Sequence, residues 1–267
     1  MQIDYHTHTS LCKHATGDVE DYIKKAIELG FKEIGCSDHT PLPFNFDLRH
    51  RMTLEQYETE YAPSVSVMQE KYGKKIAIRR GLEADFFPGT EDWMRQFIAE
   101  HEFDYVIGSV HSLGTLETEK PLFGGASYDP EELEVLQLEF YDAVRRSVES
   151  GMFDIIGHCD IVKKFGAVNS SNIKDSQRTA LETIKKHELC IELNTSGWRK
   201  PEQESYPGGQ ILSIVKELNI PITIGSDSHR PEDVGSHYHL LGDLIERYAG
   251  GKISIFKKRE REEVKFG

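Results

Sequence analysis

Two histidines two residues apart, His6 and His8 in Asp4-Tyr5-His6-Thr7-His8-Thr9, stand at the end of a short apolar run. On an extended backbone side chains alternate with a period of two, so both imidazoles project from one side and can address one ion. Such a pair is a common beginning of a transition-metal site, although histidine also serves as ordinary polar surface. Its meaning depends on partners delivered from elsewhere. The candidates are His14, His39, Glu83, His111, His158, Asp227 and His229; all but His14, which closely follows the first pair, come at the exits of further short apolar runs. Of the twelve histidines, His50, His101, His187, His237 and His239 fall instead in loops or predicted helices. Nine nitrogen and oxygen donors exceed what one four- to six-coordinate ion needs, so two or three divalent ions are implied, with Glu83 able to bridge two. Most of these donors have no thiolate nearby, which favours an open catalytic site over a closed structural zinc.

The elements that would carry these donors repeat as strand and then helix. Predicted strands lie at 31–36, 76–82, 105–110, 153–157, 189–194 and 220–225, after the first one ending in His6 and His8. Predicted helices cover 18–29, 53–72, 91–99, 129–150, 176–187, 209–218 and 231–248. Thr53 with Gln56 makes a capping box, Asp129-Pro130 an N-cap with proline at the first helical position, and Pro63 is expected to bend or divide its helix. A glycine-rich loop follows His111. Alternation of this kind is the pattern of a parallel α/β protein, and polar residues that follow each strand gather at one face. Donors from strands one to five and seven favour closure into a barrel over an open doubly wound sheet, with the active site at the C-terminal ends of the strands.

At 267 residues and 38% hydrophobic content the chain suits one large barrel domain, 1–267, with 256–267 a charged C-terminal tail expected as a solvated end. A formal net charge of -13 argues against nucleic acid or an anionic membrane as the partner. The four cysteines form no CxxC pair and read as reduced thiols, and no apolar leader or spanning run is present; a cytoplasmic protein is expected.

In order along the chain, His6-x-His8, His14, Ser37-Asp38-His39, Gly81-Leu82-Glu83, Ser109-Val110-His111, Gly157-His158-Cys159-Asp160 and Ser226-Asp227-Ser228-His229 resemble the polymerase and histidinol phosphatase (PHP) superfamily. Asp38-His39-Thr40-Pro41-Leu42-Pro43 and Asn194-Thr195-Ser196-Gly197-Trp198-Arg199-Lys200-Pro201 further resemble its histidinol-phosphatase branch. The resemblance implies a distorted (β/α)7 TIM-like barrel with three divalent transition-metal ions, Zn, Mn or Fe. It places one ion on His6, His8, Glu83 and Asp227, a second on Glu83, His111 and His158, and a third on His14, His39 and His229. It also implies a phosphomonoesterase of histidine biosynthesis, converting L-histidinol phosphate and water to L-histidinol and phosphate; the partner would be a small phosphorylated metabolite. A PHP phosphoesterase for nucleotides or oligonucleotides is the second reading, and a non-catalytic metal-binding scaffold a third of another class.

Phosphate monoesters are among the slowest bonds to hydrolyse unaided, so the enzyme must supply a nucleophile and neutralise accumulating negative charge. A metal-bridging hydroxide is the expected nucleophile. Arg199 is the first choice of cation, because a guanidinium forks onto two phosphate oxygens and this residue follows strand six, the one strand without a donor. A solvated loop arginine is the plain alternative. Lys163 is the second candidate, and as easily a surface lysine. Asp160 either orients a ligand imidazole or protonates the leaving alkoxide. Phe44, Phe46, Phe86, Phe87 and Trp198 flank the donors and could wall a pocket, with ordinary packing as the alternative.

Overall fold

Strand and helix alternate in the order β1 (Ile3–Asp4), α1 (Val19–Glu28), β2 (Glu33–Cys36), α2 (Leu54–Gln56), α3 (Ala62–Tyr72), β3 (Ala77–Arg80), β4 (Glu83–Asp85), α4 (Glu91–Glu100), β5 (Ile107–Ser109), β6 (Ser112–Leu113), β7 (Lys120–Pro121), α5 (Pro130–Glu149), β8 (Ile155–Ile156), α6 (Ser171–Lys186), β9 (Cys190–Asn194), α7 (Gly209–Leu218), β10 (Ile222–Gly225), α8 (Leu241–Ala249), β11 (Lys252–Lys257) and β12 (Glu260–Lys265). This computed structural model describes residues 2–122 and 127–267, so part of the glycine-rich loop after His111 lies outside the described residues.

Two parallel sheets, β1-β2-β3 and β10-β9-β8-β5-β4, make up the wall. They meet at both edges. At one, β3 and β4 are a single strand interrupted at Gly81-Leu82, pairing with β2 on one side and β5 on the other. At the other, Tyr5 N donates to Ile224 O (3.0 Å), Ser228 N to His6 O (3.2 Å) and His8 N to Ser228 O (2.9 Å), which joins β1 to β10. The result is the distorted seven-stranded barrel expected, with helices outside and every donor-bearing strand exit on one face.

Local chemistry starts the helices where the sequence indicates. Asp18 with Asp21, Thr53 with Gln56 and Asp129 with Glu132 each form a reciprocal capping box. The helix containing Pro63 is divided by a wide π-turn at Tyr57–Tyr61, which accommodates a proline that has no N–H to return to the preceding turn. Three expectations need correction. The helix expected over 176–187 begins at Ser171, where the Ser170 side chain caps it by accepting from Ile173 N. The helix expected over 231–248 is broken into 3-10 turns before α8, because Gly235 (φ 67°) and His237 (φ 63°) take left-handed backbone. The C-terminal residues are solvated as expected but ordered, β12 forming a hairpin with β11 rather than a loose tail. Phe256 packs on Tyr5 and Tyr105, Thr223 Oγ1 donates to Ser254 O (2.9 Å), and Arg259 bonds Asp154 (2.7 Å) and the Met152 carbonyl (2.7 Å), so the hairpin closes the N-terminal end of the barrel.

Tyr105 fills the barrel interior at that end, stacked on Tyr5 with centroids 4.6 Å apart and its hydroxyl donating to Tyr5 O (2.5 Å). A Cβ at Gly81 would overlap the Tyr105 ring, whereas one at Gly242 in α8 would meet nothing within 4 Å. Gly81→Ala is therefore expected to lose about 1–3 kcal/mol of stability. Gly242→Ala is expected to gain up to about 1 kcal/mol. Urea unfolding of both variants beside the parent checks the contrast; equal midpoints for the two would show that Tyr105 does not set the seam.

Candidate metal centre and active site

Strand exits place the donors at one floor. His6 and His8 leave β1, His39 leaves β2, Glu83 opens β4, His111 and His158 follow β5 and β8, and Asp227 and His229 follow β10. Asp227 has φ 50°, a backbone cost of about 1–2 kcal/mol for a non-glycine residue; its carboxylate faces His8 at 3.3 Å and His6 at 3.9 Å. His14 arrives from the turn after Cys12. All nine expected donors come together.

Hydrogen bonds to Nδ1 decide which nitrogen of each ring faces the centre. His6 Nδ1 donates to Glu192 Oε1 (2.6 Å) and His111 Nδ1 to Asp85 Oδ1 (2.7 Å). His14 Nδ1 donates to Cys12 O (2.8 Å) and His229 Nδ1 to Asp227 O (3.2 Å). A carboxylate or carbonyl can only accept, so a proton sits on Nδ1 and Nε2 is the nitrogen that faces the centre. Burial and the nearby His8 push His229 down to about 3, and the same two causes lower His14. Both rings are thus neutral, yet their Nε2 atoms face each other at 3.0 Å. Two lone pairs at that distance are placed to share one cation.

The other separations agree. His6 Nε2 and His8 Nε2 lie 3.2 and 3.4 Å from Glu83 Oε2, while His111 Nε2 and His158 Nε2 lie 3.3 and 3.0 Å from Glu83 Oε1 and 3.1 Å from each other. Metal–ligand bonds of about 2.1 Å in a tetrahedron give edges of about 3.4 Å. The groups His6/His8/Glu83, Glu83/His111/His158 and His14/His39/His229 can each hold an ion, and Glu83 turns one oxygen to each of the first two. His6 Nε2, both nitrogens of His8, His39 Nδ1 and Glu83 Oε2 are buried without a hydrogen-bond partner, as donors reserved for metal would be. Burial alone would raise Glu83, but His6, His111 and His39 outweigh it and hold the carboxylate well below its usual range.

Above the floor opens a cavity of about 1020 Å³ whose lining includes Lys164, Arg199, Lys200 and Arg230. Arg199 Nη2 donates to the carbonyls of Ser226 (2.8 Å) and Asp227 (3.0 Å), and its Nη1 is buried without a partner. Lys163 and Asp160 take other roles: neither is among the described lining residues. Lys163 is held by Asp160 (3.0 Å), Glu204 (3.0 Å) and Ser205 O (2.7 Å), and Asp160 also accepts from Gly208 N (2.9 Å). The pair ties the 3-10 turn after β8 to the loop before α7; Lys164 enters the cavity instead. Phe44 is 97% exposed, whereas Phe86 and Phe87 are core, the packing alternative given above, and the aromatics lining the cavity among the described residues are Tyr128, Phe165 and Tyr206. Glu192 and Asp85 are not among the residues expected from sequence, and Asp38 enters there only as part of a motif; for Glu192 the available signal is an acid inside the apolar run 189–194.

A PHP domain model matches residues 4–196, and a PHP-associated model matches 209–247. This chain belongs to the PHP domain family. A PHP relative from Deinococcus radiodurans, named "Probable histidinol-phosphatase", is 37% identical over 97% of this chain and 98% of its own length. A crystal structure from Listeria monocytogenes superposes with a TM-score of 0.82 at 30% identity, covering 90% of this chain and 99% of that one. The histidinol phosphate phosphatase of Lactococcus lactis, solved with Zn, L-histidinol and phosphate, shares the fold with a TM-score of 0.78 at 22% identity, over 98% of both chains.

Two outcomes test this PHP centre. Glu192→Gln removes the carboxylate that orients His6, and should weaken metal binding about 10–100-fold by competition with a chelator; unchanged affinity would remove Glu192 from the centre. Burial lowers His8 and His111, but Asp227 and Asp38 raise the first to about 9, and Asp85 and Glu83 raise the second to about 10. Both are therefore protonated at neutral pH in the metal-free chain and must lose protons to bind metal, so affinity rises with pH toward these values. Burial lowers His6 too, but Glu192, Glu83 and Asp227 raise it well above its usual value, so calorimetry in buffers of different ionisation enthalpy should show about three imidazole protons released per chain.

Proposed function

We propose that this chain is a metal-dependent histidinol-phosphatase, hydrolysing L-histidinol phosphate to L-histidinol and phosphate. The observation that carries the reading is the pair of bare imidazole nitrogens 3.0 Å apart, one of three donor groups on the floor of a cation-lined cavity. The names and ligands of the relatives support the choice of substrate. Bound divalent ions would supply Lewis acidity and the acidified water that attacks phosphorus. In this reading His6, His8, Glu83 and Asp227 hold one ion, Glu83, His111 and His158 the second, and His14, His39 and His229 the third.

Arg199 would receive the phosphoryl group. Its Nη2 is fixed by two carbonyls, which leaves Nη1 pre-oriented with little rotamer entropy to lose. Lys164, lowered to about 8 by burial and by Lys200, keeps most of its charge at neutral pH and adds to the field. A scaffold with closed metal shells would not need a cavity of about 1020 Å³ over its donors. The local cations also explain how a chain of net charge -13 attracts a dianion. A single functional domain over 1–267 and a cytoplasmic location are parts of the same proposal, supported by one buried cluster running from Ile3 to Phe256 and by four free, buried cysteines.

Initial rates on L-histidinol phosphate should exceed those on nucleoside monophosphates by about a hundredfold, vanish on chelation and return with zinc. Arg199→Ala should lower kcat/KM about a hundredfold with metal content unchanged. A nucleotide as the better substrate would overturn the substrate, and metal loss in the variant would overturn the role of Arg199.

A further inference from the structure

We infer that the Cys12 thiolate is a fourth protein ligand of the third ion, beside His14, His39 and His229, an inference that rests on the metal-centre reading above. Cys12 ends a 3-10 turn, Ser10–Cys12, whose cap Thr9 is tied to Asp38 Oδ2 through its backbone N–H (2.9 Å) and its hydroxyl (2.5 Å). The Cys12 carbonyl accepts from His14 Nδ1, and this swings His14 Nε2 to 3.9 Å from Cys12 Sγ. One residue therefore both orients the imidazole and brings sulfur beside its free nitrogen. Bonds of about 2.3 Å to sulfur and about 2.1 Å to nitrogen give a tetrahedral S–N edge of about 3.6 Å. The observed separation is close to that edge without any rearrangement of the turn.

Sγ is fully buried, and with one nitrogen each of His8 and His229 it forms a donor group whose atoms all lie within 4.8 Å of one another. Both ring nitrogens of His8 are buried without a hydrogen-bond partner, 3.5 Å from Asp38, 3.4 Å from Glu83 and 3.3 Å from Asp227, and this ring is stacked on His229 with centroids 4.2 Å apart. Two of the three remaining thiols differ in setting: Cys159 packs among Tyr141, Leu181 and Ile211 of the helical layer, and Cys190 donates to the Ile191 carbonyl. Coordination breaks the S–H bond, releases its proton to solvent through the cavity and forms one sulfur–metal bond, with no change of oxidation state. A set of three imidazoles and one thiolate favours zinc over manganese, whereas the imidazole and carboxylate set around His6 and Asp227 accepts harder ions. The three positions would then differ in metal preference.

Metal-free protein reloaded with cobalt(II), followed by metal analysis and absorption spectroscopy, tests this. Three ions per chain and a near-ultraviolet thiolate-to-cobalt charge-transfer band are expected. Cys12→Ala and the closer-sized Cys12→Ser should both lose the band, with the third ion held about tenfold or more weakly. Three ions with no band, or a band that survives in both variants, would overturn the thiolate ligand while leaving the three-ion reading standing. Fewer than three ions would overturn both, and the count itself tells the two failures apart.

Discussion

A carboxylate buried on the barrel floor is costly unless positive charge surrounds it, and Glu83 is such a group. One of its oxygens faces His6 and His8, the other His111 and His158. These imidazoles come from three separate strand exits, so their convergence is only as good as the register of the wall. Glu83 belongs to the strand that the two sheets share, immediately after the break at Gly81-Leu82. Displacing that seam by one residue would turn the carboxylate out of the floor, because strand side chains alternate.

The donors are oriented by a second ring of groups that compete for the imidazole protons. Glu192 and Asp85 take Nδ1 protons as carboxylates, while Cys12 and Asp227 take them as carbonyls. Asp85 is itself paired with Arg51, which also donates to the Thr40 carbonyl (3.3 Å), so Asp85 links Arg51 to His111. Acidic groups below and cationic groups above give the site a polarity across a few ångströms. The floor attracts cations and the rim attracts phosphate, although the chain as a whole is strongly acidic.

Much of this was legible before any tertiary contact was known. The nine donors, their order and the repeating strand–helix pattern led to a metal centre at the C-terminal face, because right-handed parallel units send every strand exit to the same side. Capping boxes at Thr53 and Asp129 were visible because they depend on residues three apart. Less legible were features set at long range. Whether Lys163 or Lys164 enters the cavity depends on Ser205 and Glu204, some forty residues later in the chain. The hairpin formed by β11 and β12 looked like a charged tail because its apolar partners, Tyr5 and Tyr105, lie far away in sequence.

Sequence by itself determined which chemistry was available: imidazoles and carboxylates in a number and order that bind several divalent ions. Tertiary structure alone decided which ring nitrogen faces the centre, which cations line the cavity and how close Cys12 comes to His14. The reason is physical. Donor type is a property of a residue, whereas a proton's place on an imidazole and the direction of a lysine are set by hydrogen bonds to partners that only folding brings within reach.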